Sequence, residues 1–173
     1  QALDLVGRKL TLKRGQLFKN ALAALTDILE KIRGNYNLRE LVPIYEETQE
    51  SVIQVTKFFA LKGMTDDFHV PLLYAKPYLD LCGDAAMGFL LLWQAYLADR
   101  RLQEIYRDHR AQDPKARQEI LDNNRSAAFY FGKIASARFF INQVLTQSHG
   151  RARAIMNNDK SALELPEHGF ALG

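Results

Sequence analysis

Apolar residues recur along this chain at intervals of three and four, the spacing of an α-helix that buries one face. In a first stretch Phe18, Ala21, Leu22, Leu25, Ile28, Leu29 and Ile32 fall on one side, with Lys19, Asp27, Glu30, Lys31 and Arg33 largely opposite. Gly34-Asn35 follows and supplies a residue suited to a left-handed C-terminal cap. A second stretch carries Leu41, Tyr45, Thr48, Val52, Val55 and Phe59 on one seam and closes at Gly63. Asn37 and Glu40 have capping-box spacing ahead of it, while Pro43 implies a kink or a later start. The third stretch covers residues 71–108, with Leu72, Ala75, Leu79, Cys82, Ala86, Phe89, Trp93 and Tyr96 on one stripe. Pro77 inside it predicts a bent axis. The fourth opens at Asp113-Pro114, an N-cap followed by proline at the first helical position. It continues through Ile120, Ala127, Phe131, Ile134, Ile141 and Leu145 towards Asn157-Asn158. No strand-like alternation of useful length competes.

Four such rods, each roughly 30 to 60 Å long at 1.5 Å per residue, joined by short links, predict an all-α fold. The simplest arrangement is an up-down four-helix bundle with a short N-terminal helix and a C-terminal tail. Lys13-Arg14-Gly15 marks a break after the leading segment, and ALELPEHGFALG, with a proline and two glycines, reads as a tail. The expected organisation is therefore 1–12, then a bundle domain over 13–158, then a tail over 159–173.

Composition narrows the function classes. The 173 residues are 47% hydrophobic and 25% charged, enough for one domain with a sizeable core. Net charge is +3 with both signs mixed along the chain, which does not point to nucleic acid. One cysteine, Cys82, excludes an intrachain disulfide. The apolar run MGFLLLW is too short to span a bilayer. These features predict a cytoplasmic protein without a membrane span.

The chemistry-bearing residues form few patterns. Carboxylate di-iron bundles need Glu-x-x-His pairs projecting inward. His69, His109, His149 and His168 have no glutamate three positions earlier, and Glu46, Glu47 and Glu50 read as a wet helix face. Cys82 lies on an apolar stripe, where a thiol behaves as a small hydrophobe. No Gly-rich phosphate loop is present. The pairs Arg100-Arg101 and Arg151/Arg153 read as solvated surface. The expectation is no catalytic, cofactor-binding or metal residue within these 173 positions.

GDAAMG at 83–88 and FGKIASARFF at 131–140 place small residues where neighbouring helices usually carry bulk. Small residues let axes approach closely. The third and fourth helices are thus expected to touch along this seam, so that leucine at Ala135 or Gly88 overpacks it. A second use of the segment is a face against another domain, with Lys133 and Arg138 exposed on it.

Two segments also resemble a known family. QALDLVGRKL resembles the helix after the EGT-type motif near the end of acyl-CoA dehydrogenases, where "GIQALDLVGRKL" is common. KPYLDLCGDAAMGFLLLWQA followed by FYFGKIASARFFINQVL resembles the additional C-terminal helical domain of a bacterial-type branch, where "PYLxLFGxxxGGWLL" and "FYxxKIAxARFFxxxVL" recur. The sequence departs from that pattern at Cys82 and at Ala86-Met87. The resemblance runs from Gln1 to about residue 156.

It implies that residues 1–12 end the last helix of a catalytic domain and that the rest is a C-terminal appendage. It also implies an intact FAD-dependent enzyme that oxidises acyl-CoA to 2,3-enoyl-CoA. A glutamate upstream would act as base and an electron-transfer flavoprotein as acceptor, so no catalytic residue carries over to this chain. Expected partners are the upstream catalytic domain and further copies of the protein, with Lys133 and Arg138 serving CoA binding or oligomerisation. The competing expectation is an independent helical interaction or oligomerisation module.

Overall fold

The computed structural model describes residues 1–10, 12–166 and 169, and among them every regular element is helical. Helix α1 spans Gln16–Arg33, α2 Leu41–Lys62, α3 Ala75–Asp108, α4 Pro114–Asn123, α5 Arg125–Phe139 and α6 Ser148–Met156. Single turns at Ala2–Asp4, Val70–Leu73 and Ser161–Glu164 lie between or beyond them. Of the expected tail, residues 167, 168 and 170–173, His168 included, lie outside the described residues.

The helix boundaries follow from local chemistry. Gly15 precedes α1 with φ of 77°, a left-handed conformation in which a side chain would be strained. At the other end Gly34 stays right-handed, with φ of −72°, so the left-handed cap expected at Gly34-Asn35 does not form. Asn35 instead turns the chain through its side chain, its Oδ1 accepting from the Asn37 N–H at 2.9 Å. Nor does a capping box form ahead of α2, because Asn37 and Glu40 bond to Asp99 and Arg138 instead. The helix starts at Leu41, the later start that Pro43 allows. This leaves the proline in the first turn, where a missing N–H removes no intrahelical bond.

Pro77 acts in the same way. The sequence predicts a bend inside the third helix, but Pro77 cannot bond to the carbonyl four residues back, and the chain breaks at Tyr74 instead. The fourth stretch starts as expected, with Asp113 Oδ1 accepting from the Ala116 N–H at 2.9 Å. It is then interrupted at Asn124. That residue is extended, with φ of −117°, and its Oδ1 accepts from the N–H groups of Ser126 and Ala127 at 3.0 and 3.1 Å. An N-cap thus sits where sequence periodicity predicts continuous helix. Beyond α5 the chain continues as a π turn, Phe140–Val144, and a 3-10 turn, Leu145–Gln147.

Helices α2 and α3 run through both halves of the core. One half gathers Ile32, Leu41, Tyr45, Leu92, Ile134 and Ile141 between the end of α1, α2, α3 and α5. The other gathers Val6, Val55, Phe59, Tyr78, Leu81 and Ile155, so α6 and the N-terminal turn close that end. All six seam residues expected on α2 are buried. On α3 the buried stripe is Ala75, Tyr78, Leu81, Phe89, Leu92, Ala95 and Leu102, rotated from the expected one. Leu72, Ala86 and Trp93 face outward, as does Phe131 on α5. The run MGFLLLWQAYLA is apolar nearly all round, so its periodicity does not single out a face. For the same reason α3 is long and apolar enough to cross a membrane by length and composition alone, a property that the core helix of a folded domain shares.

Candidate functional site

The residues that could carry chemistry are mostly committed to holding the fold. Cys82 lies beside Tyr78, and burial pushes its thiol up to about 11, so little thiolate forms at neutral pH. Tyr78 is fully buried and pushed upward by desolvation. Its hydroxyl meets Thr56 Oγ1 at 2.6 Å, and Thr56 in turn donates to the Val52 carbonyl. Burial likewise pushes Tyr45 up to about 12.

The three glutamates read as a wet face have ordinary surface partners. Glu46 meets Arg33 at 2.5 Å, Glu50 accepts from Gln54 at 3.2 Å, and Glu47 lies 3.3 Å from His149 Nε2. His149 Nδ1 also lies 3.1 Å from Ser51 Oγ, giving a Ser-His-Glu arrangement. It is not a nucleophile relay. Ser51 Oγ donates its proton to the Glu47 carbonyl at 3.0 Å, so that proton is committed to the backbone of α2 rather than to the imidazole. His109 Nδ1 sits 2.9 Å from the Ile105 carbonyl at the end of α3, and His69 stacks edge-on against Phe68. Among the described residues no group of three or more His, Cys, Asp or Glu side chains is arranged to hold a metal ion.

A carboxylate that sequence reasoning missed is more deeply placed. Asp99 is 4% exposed and accepts from Asn35 Nδ2 at 2.7 Å, Asn37 Nδ2 at 2.9 Å and Gln103 Nε2 at 3.2 Å. All three donors are neutral amides. Arg138, expected as an exposed interface cation, holds the other side of the same loop, donating to Glu40 Oε1 at 2.6 Å and to the Asn37 carbonyl. It is a bracket between α5 and the α1–α2 link. Arg151 pairs with Asp84 across α6 and α3, so it too is structural rather than merely solvated.

The small-residue seam divides in two. An ideal Cβ on Gly88 would stand 2.7 Å from Leu145 Cδ1, so α3 does approach its neighbour closely there, although the neighbour is the 3-10 turn. Gly132 has nothing within 4 Å of its Cβ position, and Ala135 is exposed. The close seam expected at Ala135 is absent, because the buried face of α5 is Ala127, Ile134 and Ala137. Gly132 and Ala135 stand on its outer face.

What remains open is a groove of about 610 Å³ between α3 and α5. Leu97, Arg100, Arg101 and Glu104 come from α3, and Phe129 and Lys133 from α5. Arg101 is paired with Glu104 at 2.9 Å, and Lys133 Nζ lies 5.4 Å from the centre of the Phe129 ring. Three cations and an exposed aromatic ring thus share one concavity with a single carboxylate.

Comparison with known proteins gives this arrangement its setting. The sequence profile described as "Acetyl-CoA dehydrogenase C-terminal like" matches residues 15–166, nearly the whole chain. The chain belongs to this family. Two butyryl-CoA dehydrogenases of Syntrophomonas wolfei subsp. wolfei (strain DSM 2245B / Goettingen) are similar to it. They are 29% and 25% identical over 185 and 172 residues, each alignment covering 98% of this chain. The chain spans 25% of the length of each of these relatives. No solved structure matches the chain. As a member of the acetyl-CoA dehydrogenase C-terminal-like family, the chain carries the family profile across α1 to α6, and the groove lies within the matched span.

Proposed function

We propose that this chain is the C-terminal, non-catalytic helical domain of an FAD-dependent acyl-CoA dehydrogenase, packing against a catalytic domain of the same polypeptide. The observation that carries this reading is the alignment of 98% of the chain with a quarter of two proteins named butyryl-CoA dehydrogenase. Residues 1–12 then end the last catalytic-domain helix, 13–158 form the helical body, in which α4, α5 and α6 take the place of a single fourth rod, and 159–173 are the tail segment. The family match begins at residue 15, close to the first of these boundaries, and runs past the second to residue 166. Support for packing comes from the outer faces of α3 and α5, where Leu90, Trp93, Phe131 and Phe139 are each at least 40% exposed.

The intact enzyme would remove two hydrogens from an acyl-CoA, pass electrons from flavin to an electron-transfer flavoprotein and work in the cytoplasm. Among the described residues no concavity fits the flavin itself. The α3–α5 groove is open and cationic, and its walls would not enclose an isoalloxazine ring, so the redox step falls to the catalytic domain. The role left to this domain is to bind CoA, to hold subunits together, or both, while its bulk shields the neighbouring site from water.

The test compares this chain with the polypeptide extended upstream. The extended protein should carry the yellow flavin spectrum and bleach on addition of butyryl-CoA, whereas this chain alone should be colourless. A colourless extended protein, or a flavin retained by residues 1–173 alone, overturns the reading.

A further inference from the structure

We infer that the α3–α5 groove binds the phosphorylated adenosine end of coenzyme A. For the source of that nucleotide the inference rests on the function proposed above; the chemistry of the groove stands on its own. Arg100 and Lys133 carry no ion pair or hydrogen bond among the described residues, so both are available to an anion, while Arg101 is already held by Glu104. A guanidinium and an ammonium on facing helices suit phosphate oxygens, which accept charge-assisted bonds from both.

The ring of Phe129 is 59% exposed, with Lys133 Nζ 5.4 Å from its centre and the Tyr130 ring packed against it at a tilt of 67°. Its free surface offers a stacking platform for a purine, the mode by which aromatic side chains take up bases. Leu97 continues that apolar surface, and buried Ala98 forms the floor. The groove's 610 Å³ lies within the range of roughly 300–1,000 Å³ typical of small-molecule sites. A ligand with one aromatic base and a few phosphates matches three cations against one carboxylate. A nucleic acid strand would need a longer basic track than a chain of net charge +3 provides.

Isothermal titration of the 173-residue chain at low salt tests the assignment. Coenzyme A and ADP should bind, pantetheine should give no heat, and added salt should weaken binding as expected for exposed charges. The double substitution Arg100→Ala/Lys133→Ala should weaken ADP at least about tenfold, the loss of one charge-assisted bond or more. Phe129→Leu should weaken ADP while leaving inorganic phosphate unchanged, which separates stacking from charge. These side chains lie on the surface, and unchanged far-UV circular dichroism will establish that the variants are folded. Coenzyme A binding no tighter than pantetheine, equal affinity in the double variant, or an RNA oligonucleotide binding more tightly than ADP overturns the inference. A silent titration leaves the flavin test of the proposed function untouched, so the two failures are distinguishable.

Discussion

Removing the Asp99 carboxylate is the sharpest probe of what holds this fold together. Asp99→Ala deletes the acceptor of two short bonds, from Asn35 at 2.7 Å and Asn37 at 2.9 Å, and of a longer one from Gln103. Each hydrogen bond to a charged group is worth about 1.5–3 kcal/mol, and a buried donor left unpaired costs about 1–3 kcal/mol. Against this stands the desolvation of a carboxylate whose three donors are all neutral amides, which the substitution relieves. The two short bonds outweigh that relief because their donors remain in place when the acceptor goes. We expect a net loss of about 3 kcal/mol, hence a fall in melting temperature of roughly 6–12 °C for a chain of this size.

Asp99→Asn should be milder. Asn35 cannot flip its amide, since its Oδ1 already accepts from the Asn37 N–H, but Asn37 can present its own oxygen to the new amide. A loss of about 1 kcal/mol follows. Urea and thermal unfolding followed at 222 nm measure both. A double-mutant cycle with Asn37→Ala should return a coupling of about 1 kcal/mol or more between the two positions. Equal stability of Asp99→Ala and the unaltered chain, or zero coupling to Asn37, would refute the claim that this carboxylate ties the loop to α3.

Two glycines on neighbouring helices should respond with opposite signs to the same substitution. Gly88→Ala gains about 1 kcal/mol of helix propensity but drives a Cβ into buried Leu145, and overpacking of about 1–3 kcal/mol makes it destabilising on balance. Gly132→Ala meets open space and should stabilise by up to about 1 kcal/mol, so equal effects in paired urea titrations would contradict the assigned packing. Cys82 should react with a thiol reagent at pH 8 about a hundredfold more slowly folded than in strong denaturant, because burial raises its pKa and depletes the thiolate; comparable rates would refute its burial. Asp67 is held near a pKa of about 2 by hydrogen bonds from Lys160 and then Lys62. A depressed folded pKa stabilises above the unfolded value near 4, and that contribution is lost as pH falls through about 2. Asp67→Asn should therefore flatten the acid limb of a stability–pH curve, more visibly at low salt than at high, and an unaltered limb would exclude the pairing.

The helical class and most boundaries were legible because they depend on neighbours in sequence. Asp113-Pro114 names its own N-cap, and the α2 seam from Leu41 to Phe59 is regular because polar residues bound it on both sides. The departures share a physical cause. Where apolar residues surround a helix, as over 87–98, several stripes fit the period, and only the partner decides which one is buried. The period alone turns Trp93 and Phe131 inward, and the packing turns them out. The break at Asn124 had a local signal, the Asn123-Asn124 pair before Arg125-Ser126, which the surrounding apolar period obscured.

The candidate site was hidden for a different reason, since it joins residues about thirty positions apart. Arg100-Arg101 and Lys133 read separately as surface charge, and only the packing of α5 on α3 puts Phe129 and Lys133 beside them. That register has a visible determinant. Asn37 is gripped by both helices, its side-chain amide by Asp99 of α3 and its carbonyl by Arg138 of α5. A loop that reads as a simple turn, GNYN, therefore fixes how α3 and α5 sit relative to each other. The groove walls at Arg100 and Lys133 lie one residue from Asp99 and five from Arg138. The same bracket that steadies the fold thus sets the spacing of the two cations, and any ligand that spans them is measured against a distance the α1–α2 link helps to hold.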